Sequence, residues 1–363
     1  MHTRFPIGTR RPLALAIFAL INAAAGLAQA QTRLKDVVIS ATLSEHDTRT
    51  APASVSVITR EEIEASNPVD LLDAVRGEPG VTLMGRSVGG RKTIAVRGLE
   101  GKHVLGLVDG RRISASDDVV GHSDYQYGWL PMAAIERIEV VRGPMSTLYG
   151  SEALGGVVNL IPRRPKERWI GSVGVSSGEL QSGAGGGRAG ASLFAGGALG
   201  DMLDLSLIGD NQRVAPVPLK ENTRYSELEG RDSRSVGATA RLKLAPGQTL
   251  EAGWIDSHED RWRNDVESSG VRRAYEDRYD LQRTHGHLSW RGEFSGWRAQ
   301  ANAYRSELDI VDTRTNGVAP TRPQNLRDAV VDGLVAGKLG GHLLTFGGEF
   351  RTESLRNAGL IGG

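Results

Sequence analysis

The sequence contains no cysteine, which excludes disulfide bonds and thiolate metal sites. Aromatic residues make up only 5% of the chain, and Lys+Arg 44 against Asp+Glu 43 leave a formal net charge of +1. Such a balance implies no strongly charged partner, and nucleic acid is not expected as one. Beyond the first 30 residues no run of 18 apolar residues occurs, so no transmembrane helix is predicted there.

The first 30 residues have the three parts of a secretory signal peptide. Arg4, Arg10 and Arg11 give a positive start, an uncharged run follows over residues 12–28, and an A-x-A site ends at Ala30. The strongly apolar part is shorter than the roughly 20 residues that a membrane-spanning helix needs. We therefore predict an exported protein whose mature chain begins at residue 31.

Residues 51–165 have the pattern of one compact domain with strands and short helices. A β-prone stretch covers residues 54–58, and Thr59 with Glu62 forms a capping box that would open a helix. Asn67 and the proline after it predict the start of a second helix. One face of that helix would be apolar, formed by Leu71, Leu72 and Val75.

From about residue 166 the pattern changes to nine strand-like segments in which apolar and polar residues alternate. Arg241 and Lys243, for example, alternate with alanine and leucine. Charged side chains inside a small soluble barrel would be costly, whereas a wide, wet lumen accepts them. We predict strands with an apolar face towards lipid, loops over residues 211–236 and 258–282, and a girdle formed by Trp169, Trp254, Trp290 and Trp297. A soluble β-sandwich is the alternative.

Closure of this sheet is the next question. In lipid, an open sheet edge leaves unpaired backbone groups that each cost several kcal/mol. Nine is an odd number of strands, and residues 360–363 lack a terminal aromatic residue. We therefore expect the barrel to be incomplete in this sequence and to continue after residue 363.

Four motifs carry a family resemblance. They are DVVISAT at 36–42, APASVSVITREEIE at 51–64, IAVRGLEGKHVLGLVDGRRI at 94–113 and IERIEVVRGPMSTLYGSEALGGVVNLI at 135–161. In this order they resemble TonB-dependent outer-membrane receptors, and the last is most similar to the ferric enterobactin and colicin I receptor branch. The resemblance implies an α+β plug domain inside a transmembrane antiparallel β-barrel. The divisions would be residues 1–30 (signal peptide), 31–50 (TonB box and linker), 51–165 (plug) and 166–363 (N-terminal part of the barrel).

The resemblance also implies a partner and a lock. The TonB box would add as a strand to a sheet edge of TonB, which acts with its inner-membrane energising complex. The TonB-binding residues would be Asp36, Val37, Val38, Ile39, Ser40, Ala41 and Thr42. Arg97 and Arg142 would lock the plug to barrel glutamates, with Glu349 as a candidate partner. Alternatively, each arginine pairs with Glu136 or Glu139 nearby.

The cargo is predicted from the outward plug loops, residues 84–92 and 111–128. Their charged and aromatic side chains suit an anionic, aromatic chelate such as a ferric catecholate siderophore. The candidate ligand-binding residues are Arg86, Arg91, Tyr125, Tyr127 and Trp129. Cobalamin or haem uptake is the alternative within the family, and a signal-transducing or structural receptor is the alternative outside transport. No cofactor is predicted, and the expected form is a monomer in outer-membrane lipid.

Catalytic and metal sites are not predicted. The Gly-x-Gly-x-x-Gly pattern at residues 185–190 is followed by a glycine-rich stretch instead of the required helix. His285 and His287 share a strand face and could bind metal or haem, but two polar histidines facing the lumen or rim are the preferred interpretation. No nucleophile elbow or phosphate loop occurs, so the chain is not predicted to be an enzyme.

Overall fold

The computed structural model describes residues 53–85, 89–113, 124–165, 168–181 and 184–357, and two short strands, β1 (Val37–Val38) and β2 (His46–Asp47). The predicted signal peptide lies outside the described residues. So do Asp36 and residues 39–42 of the predicted TonB-binding segment. Among the described residues, no helix has the length and apolar character needed to cross a membrane.

The first part of the described chain, within residues 53–162, is called the plug below and contains eight strands in two small sheets. The strands are β3 (Ser54–Ile58), β4 (Val81–Gly85), β5 (Lys92–Val96), β6 (Leu99–Glu100), β7 (Val104–Val108), β8 (Arg111–Arg112), β9 (Ile135–Arg142) and β10 (Gly156–Pro162). One sheet has the order β3-β9-β10-β7-β8 and the other β4-β5-β6. Strand β10 is parallel to β7 and antiparallel to β9. Strand β3 is an edge strand, because β9 is its one neighbour in that order.

Three short helices connect these strands: α1 (Arg60–Ser66), α2 (Leu71–Ala74) and α3 (Ser146–Tyr149). The predicted capping box of α1 is confirmed, because Thr59 and Glu62 exchange side-chain and backbone hydrogen bonds. The predicted role of Asn67 is wrong. Asn67 ends α1 in the left-handed conformation, with φ 45°, a conformation that asparagine tolerates. Asp70 caps α2 instead, by accepting a hydrogen bond from the Asp73 amide.

The plug has its own apolar core between the larger sheet and the helices. Val75, Val96, Ile135 and Ile138 are fully buried, and the predicted apolar face of α2 belongs to the same cluster. Burying each such side chain contributes about 1.5–3 kcal/mol. Ile255, from the second part of the chain, joins this cluster. The core of the plug therefore continues into the sheet that surrounds it.

The second part of the described chain forms one nine-stranded antiparallel sheet, called the wall below. Its strands are β11 (Ile170–Gly178), β12 (Arg188–Leu199), β13 (Leu203–Val214), β16 (Gly230–Ala245), β17 (Gln248–Val266), β18 (Ala274–Phe294), β19 (Trp297–Arg314), β20 (Arg322–Leu339) and β21 (His342–Asn357), in that order. A separate hairpin, β14 (Val217–Pro218) and β15 (Ser226–Leu228), connects β13 to β16. Within the described residues, β11 and β21 do not pair with each other, so the sheet is an incomplete barrel.

Alternating residues of the wall have opposite environments, as the sequence predicted. On β17, Glu251, Ile255 and Glu259 are buried on the face that meets the plug. On the other face Trp254 is 49% exposed, and Val331 and Phe350 are exposed as well. The polar face therefore turns inwards and the apolar face outwards, the arrangement of a membrane barrel.

The predicted loops over residues 211–236 and 258–282 are largely wrong. Strand β16 begins at Gly230, β17 continues to Val266 and β18 begins at Ala274. Residues there are polar on both faces, so alternation no longer marks them as strand. They stay paired because the backbone hydrogen bonds of the ladder do not depend on the side chains. Several wall strands are therefore much longer than the ten residues expected.

Candidate functional site at the interface of plug and wall

The two-residue turn between β7 and β8 brings a plug carboxylate against the wall. Asp109 and Gly110 both have positive φ, 52° and 80°, as a tight hairpin turn requires. The Asp109 amide donates to the Leu160 carbonyl at 2.8 Å, which fixes the turn on β10. The Asp109 side chain is buried and accepts hydrogen bonds from Arg164, in the connection between plug and wall, and from Arg291 of β18.

A wall carboxylate completes this cluster. Glu251 of β17 accepts from Arg164 Nε at 3.0 Å and from Arg241 Nη2 at 2.9 Å, and it lies 3.3 Å from His287 Nε2. Arg111 of the plug donates to Asp109 at 3.3 Å and to Ser289 of the wall at 3.2 Å. We call Asp109, Arg111, Arg164, Glu251 and Arg291 the turn network.

Electrostatics keep the turn network charged. Burial raises the pKa of Asp109, but attraction to Arg164, Arg291 and Arg111 outweighs it and holds that pKa below its ordinary value. Burial likewise lowers the pKa of Arg164, but Asp109 and Glu251 outweigh it and raise that pKa. Removing one member of a buried ion pair leaves an uncompensated charge, at a cost of about 3–5 kcal/mol. Loss of any one member of the turn network is therefore expected to destabilise the contact between plug and wall.

A second cluster surrounds Arg261 of β17. Its guanidinium contacts Asp124 of the plug, Glu259 of the same strand and, at 3.1 Å, Glu229. Arg91 of the plug donates to Glu229 at 3.1 Å. The Glu229 amide also donates to the Gly89 carbonyl at 3.0 Å. We call Arg91, Asp124, Glu229, Glu259 and Arg261 the Arg261 network.

Three further ion pairs join plug and wall. Arg231 of β16 lies 3.2 Å from Asp70, the residue that caps α2. Arg112 of β8 lies 3.0 Å from Glu349 of β21. Arg112 also lies 2.7 Å from Glu152 of the plug, and Glu152 lies 3.2 Å from Arg351 of β21. The plug is thus attached at several separate places on the wall.

The sequence predicted that Arg97 and Arg142 lock the plug to barrel glutamates, with Glu349 as a candidate partner. The structure shows a different arginine at Glu349. Glu349 does contact a plug arginine, but that arginine is Arg112. Arg142 donates to Ser54 at 3.2 Å and to Ser56 at 2.8 Å, both on β3. Arg97 is exposed in the turn after β5, with φ 52°. Within the described residues, neither Arg97 nor Arg142 has a hydrogen bond or ion pair to the wall.

The two glutamates of the alternative pairing have other arginines beside them. Glu139 lies 2.8 Å from Arg137 of the same strand. Glu136 lies 4.0 Å from Arg163, in the connection between plug and wall. Neither of these arginines is one that the resemblance singled out.

Four of the five predicted ligand-binding side chains are buried, either in the core of the plug or where the plug meets the wall. Arg91, Tyr125, Tyr127 and Trp129 are 4–7% exposed, whereas Arg86 lies outside the described residues. Arg91 packs over the ring of Tyr279 of β18 at 4.3 Å and donates to the Tyr125 hydroxyl at 2.9 Å. Burial raises the pKa of Tyr125. Their expected exposure on the outward loops is therefore wrong, because the plug and the wall cover them.

Histidines in the wall occupy two different settings. His285 and His287 lie on the inward face of β18, and His285 is buried beside Trp129, which confirms the preferred interpretation of lumen-facing residues. Among the described residues, one group has three side chains with ligand atoms within 4.8 Å of one another: His258, Asp260 and Asp280. The Gly-x-Gly-x-x-Gly pattern leads into strand β12, so it lacks the helix that a dinucleotide site needs.

Most of the attachment residues were not predicted from the sequence. Asp109, Arg111 and Arg112 belong to the motif at 94–113, whose resemblance implied no role for them. Glu251 and Arg291 occupy the charged positions of alternating strands. Alternation indicated that these side chains face inwards, and the Asp-Gly pair is a hairpin signal that could have located the turn at Asp109. Which inward charge meets which plug residue depends on register, which no sequence pattern provides.

Comparison with known proteins supports both parts of this architecture. Residues 47–157 match the family model of the TonB-dependent Receptor Plug Domain. The iron-regulated outer membrane virulence protein of Vibrio cholerae serotype O1 (strain ATCC 39541) is 33% identical over 357 residues, which are 95% of this chain and 52% of that protein. The vitamin B12 transporter BtuB of Vibrio vulnificus is 38% identical over 152 residues, 41% of this chain and 24% of that protein.

The fold also matches a solved receptor. A point mutant of the ferric enterobactin receptor PfeA of Pseudomonas aeruginosa has a TM-score of 0.73 at 25% identity, over 85% of this chain and 50% of that chain. The present chain spans about half the length of the curated relatives that it matches first. By its plug domain, its strand-rich incomplete barrel and these likenesses, the chain is TonB-dependent receptor-like.

Proposed function

We propose that the chain acts in TonB-dependent active uptake of a ferric siderophore across the outer membrane, with the catecholate class as cargo. The observation that carries the proposal is a plug held by buried ion pairs against the inward face of a membrane-barrel sheet. A stopper attached in this way has to be displaced before a large solute passes. The likeness to a ferric enterobactin receptor supports the choice of cargo.

Energy would enter through the N-terminal segment. Residues 36–42 have the β-prone pattern that suits strand addition to TonB, the partner expected for this family. That segment precedes β3, an edge strand of the larger plug sheet, so β3 is the first strand of that sheet on which a pull would act. The signal peptide predicted at residues 1–30 supports export to the outer membrane.

The cargo would meet the outward plug loops before any such movement. Arg86 keeps its proposed role as a ligand contact. For Arg91, Tyr125, Tyr127 and Trp129, burial limits the role to supporting those loops. A specificity for catecholates would then depend on Arg86 and on the loops between wall strands.

Cobalamin uptake is the second candidate, because the likeness to BtuB covers 41% of this chain. Haem uptake has less support, since His285 and His287 are buried by plug and wall. A receptor that only signals or only has a structural role is the alternative outside transport. The named relatives are receptors and transporters, which supports a function without catalysis.

The test is growth of a strain that lacks the gene, under iron limitation, with defined iron sources given one at a time. We expect ferric enterobactin to support growth when the gene is restored and not in its absence. In a parallel experiment, haem is given as the iron source. In another, cobalamin is given to a strain that depends on imported cobalamin. Restoration by cobalamin alone would overturn the siderophore proposal, and restoration by no solute would overturn the transport proposal.

A further inference from the structure

The outer end of β19 extends past the lipid-facing part of the wall. Its outward residues are apolar up to Ala303 and polar from Arg305 to Asp309. A strand needs about 9–11 residues to cross the membrane, whereas β19 has 18. Its far end adjoins the turn of residues 315–321, and the longer turns of such barrels lie on the extracellular side. Residues 310–314 therefore lie outside the membrane-spanning segment.

Two acidic side chains face each other on the inward side of this outer end. Asp277 of β18 is fully buried, and Asp312 of β19 is 8% exposed. Asp277 pairs with Arg314 in the ladder, which places it at the same level of the wall as Asp312. The two carboxyl groups are within hydrogen-bonding reach of each other. Because two carboxylates this close repel when both are charged, the pair favours the uptake of one proton.

The neighbouring arginines are bonded to Asp277 and not to Asp312. Arg263 of β17 donates to Asp277 from Nη2 at 2.9 Å, and Arg314 donates to it from Nε at 3.2 Å. Within the part of the chain that the structure describes, Asp312 has no ion pair, and its Oδ1 atom is buried without a hydrogen-bond partner. A buried charge without a partner is costly. The shared proton is therefore held by Asp312.

The surroundings of the pair act on Asp312 in both directions. The charged and titratable groups that face the pair are Arg263 and Asp265 of β17, Tyr275 and Tyr279 of β18, Arg314 of β19 and Arg322 of β20. Burial and the charge of Asp277 raise the pKa of Asp312 from 3.8 to about 6, against the attraction of Arg314 and Arg322. Asp312 therefore changes its charge in weakly acidic solution.

A second partner for Asp312 lies directly across the ladder. Arg322, the first residue of β20, is the register partner of Asp312, so the two side chains share a face of the sheet. The Arg322 side chain is exposed and has no hydrogen bond or ion pair to any described residue. Side chains in such register pairs start about 4.5–5.5 Å apart, a distance that a guanidinium easily covers. Arg322 is therefore placed to pair with Asp312 once Asp312 is ionised.

We propose that Asp277, Asp312 and Arg322 form an acid-sensitive switch at the outer end of the wall. In acid, Asp312 carries a proton and donates it in a hydrogen bond to Asp277, which is the arrangement of the present structure. At neutral pH the proton passes to water, and the Asp312 carboxylate pairs with Arg322 instead.

The switch controls one extracellular turn. Arg322 directly follows the turn of residues 315–321, so its bond to Asp312 would fasten the base of that turn at neutral pH and release it in acid. No cargo takes part in the exchange of partners. The inference therefore goes beyond the proposed uptake function and does not depend on it.

Infrared spectroscopy of the receptor in detergent micelles tests the proton on Asp312. Other carboxyl groups also titrate between about pH 4 and about pH 7, so the wild-type spectra are compared with those of Asp312→Asn. We expect the difference to contain one protonated carboxyl group that ionises with a midpoint between 3.8 and about 6. Asp309→Asn, on the exposed outward face of the same strand, is the control and should keep this signal. Wild-type and Asp312→Asn spectra that titrate identically would overturn the proposal.

Replacement of Arg322 tests the second partner. Arg322→Gln leaves the ionised Asp312 without its cation, so we expect the proton to bind about tenfold more tightly, which raises the midpoint by about one pH unit. Arg327→Gln, on the exposed outward face of the same strand, is the matched control and should leave the midpoint unchanged. A midpoint that is the same in Arg322→Gln and the wild type would overturn the exchange of partners.

A spin label on the turn tests its release. The chain has no cysteine, so Val318→Cys provides a single attachment site within residues 315–321. We expect the label to move faster at about pH 4 than at about pH 7, because the Asp312–Arg322 pair is lost in acid. With Asp312→Asn added, the label should move fast at both pH values. A label that moves equally at both pH values in the chain with native Asp312 would contradict the control of the turn.

Discussion

Asp109 and Arg164 form a two-point ion pair in which both guanidinium Nη atoms of Arg164 donate to the two carboxylate oxygens of Asp109. Arg164 also donates to Glu251 of the wall. One arginine in the connection between plug and wall therefore holds a plug carboxylate and a wall carboxylate together. Planar, bidentate pairing of this kind is stronger and more directional than contact with a point charge.

Neutralising Asp109 should loosen the plug. Asp109→Asn leaves Arg164, Arg291 and Arg111 without their shared buried anion, which we expect to cost about 3–5 kcal/mol of attachment. The readout is hydrogen exchange of the β7 and β8 amides in the receptor in detergent micelles. Asp201→Asn, in an exposed turn, is the matched control. Unchanged protection of β7 in Asp109→Asn would show that the turn network contributes little.

The same carboxylate predicts a pH dependence. The pKa of Asp109 in the folded chain lies below its ordinary value of 3.8, so its charged form stabilises the plug above that pH. This contribution is lost only as the pH falls through the lowered pKa. Thermal unfolding should therefore show a constant difference between wild type and Asp109→Asn from about pH 7 to about pH 5, shrinking in stronger acid. A difference that disappears by about pH 5 would contradict this ionisation state.

The interaction energy of the Arg112–Glu349 ion pair, which replaces the predicted lock, can be measured with a double-mutant cycle. Arg112 and Glu349 lie 3.0 Å apart with side chains 11% and 33% exposed, so we expect a coupling of about 0.5–1 kcal/mol. The cycle uses alanine variants and reversible urea unfolding in phospholipid bilayers. Arg142 with Glu349 is the control pair, with a coupling expected near zero. A larger coupling for the control pair would restore the lock predicted from the sequence.

Deleting residues 36–42 should separate binding from uptake. The outward loops that would meet the cargo remain, so affinity for ferric enterobactin is expected to stay unchanged. Uptake should fall to the level of a strain without the gene, because strand addition to TonB needs this segment. An internal deletion of equal length between residues 43 and 50 is the control for spacing. Uptake that survives the loss of 36–42 would refute the coupling.

Arg86 and Arg91 should behave differently when replaced by alanine. Arg86→Ala is expected to weaken ferric enterobactin binding by about tenfold through loss of one charged contact. Arg91→Ala breaks the Arg261 network instead, so hydrogen exchange near residue 91 should rise. Binding isotherms and exchange on both variants distinguish the roles. A variant of Arg91 that loses affinity without any change in exchange would indicate direct contact with the ligand.

Sequence patterns predicted the elements of this fold well because each pattern had a local physical cause. The capping box at Thr59 and Glu62, the inward charges of β17 and the nine wall strands all follow from hydrogen bonding or alternation within a few residues. The positions at which the strands end could not be predicted from such local patterns. Where β16, β17 and β18 are polar on both faces, only pairing with a neighbour shows that the backbone is extended.

Partner choice was harder than element choice. Arg97, Arg142 and Arg112 have the same chemistry, but only the placement of β8 against the wall decides which of them reaches Glu349. Exposure was misjudged for a similar reason. Arg91 and Tyr125 lie in segments that look like loops, but the wall covers them. Long-range contacts of this kind depend on how two domains meet, which no local pattern records.

Arg164 lies six residues before β11 and is tied to both parts of the molecule. A load that passes along the backbone from the plug towards β11 meets Arg164 before it meets that strand. Because Arg164 is bonded to Glu251, part of such a load would be carried by β17, in the middle of the sheet, and not by β11 alone. Strand β11 ends the sheet on its side within the described residues, so it would be the easiest strand to peel away, and Arg164 would protect it from traction.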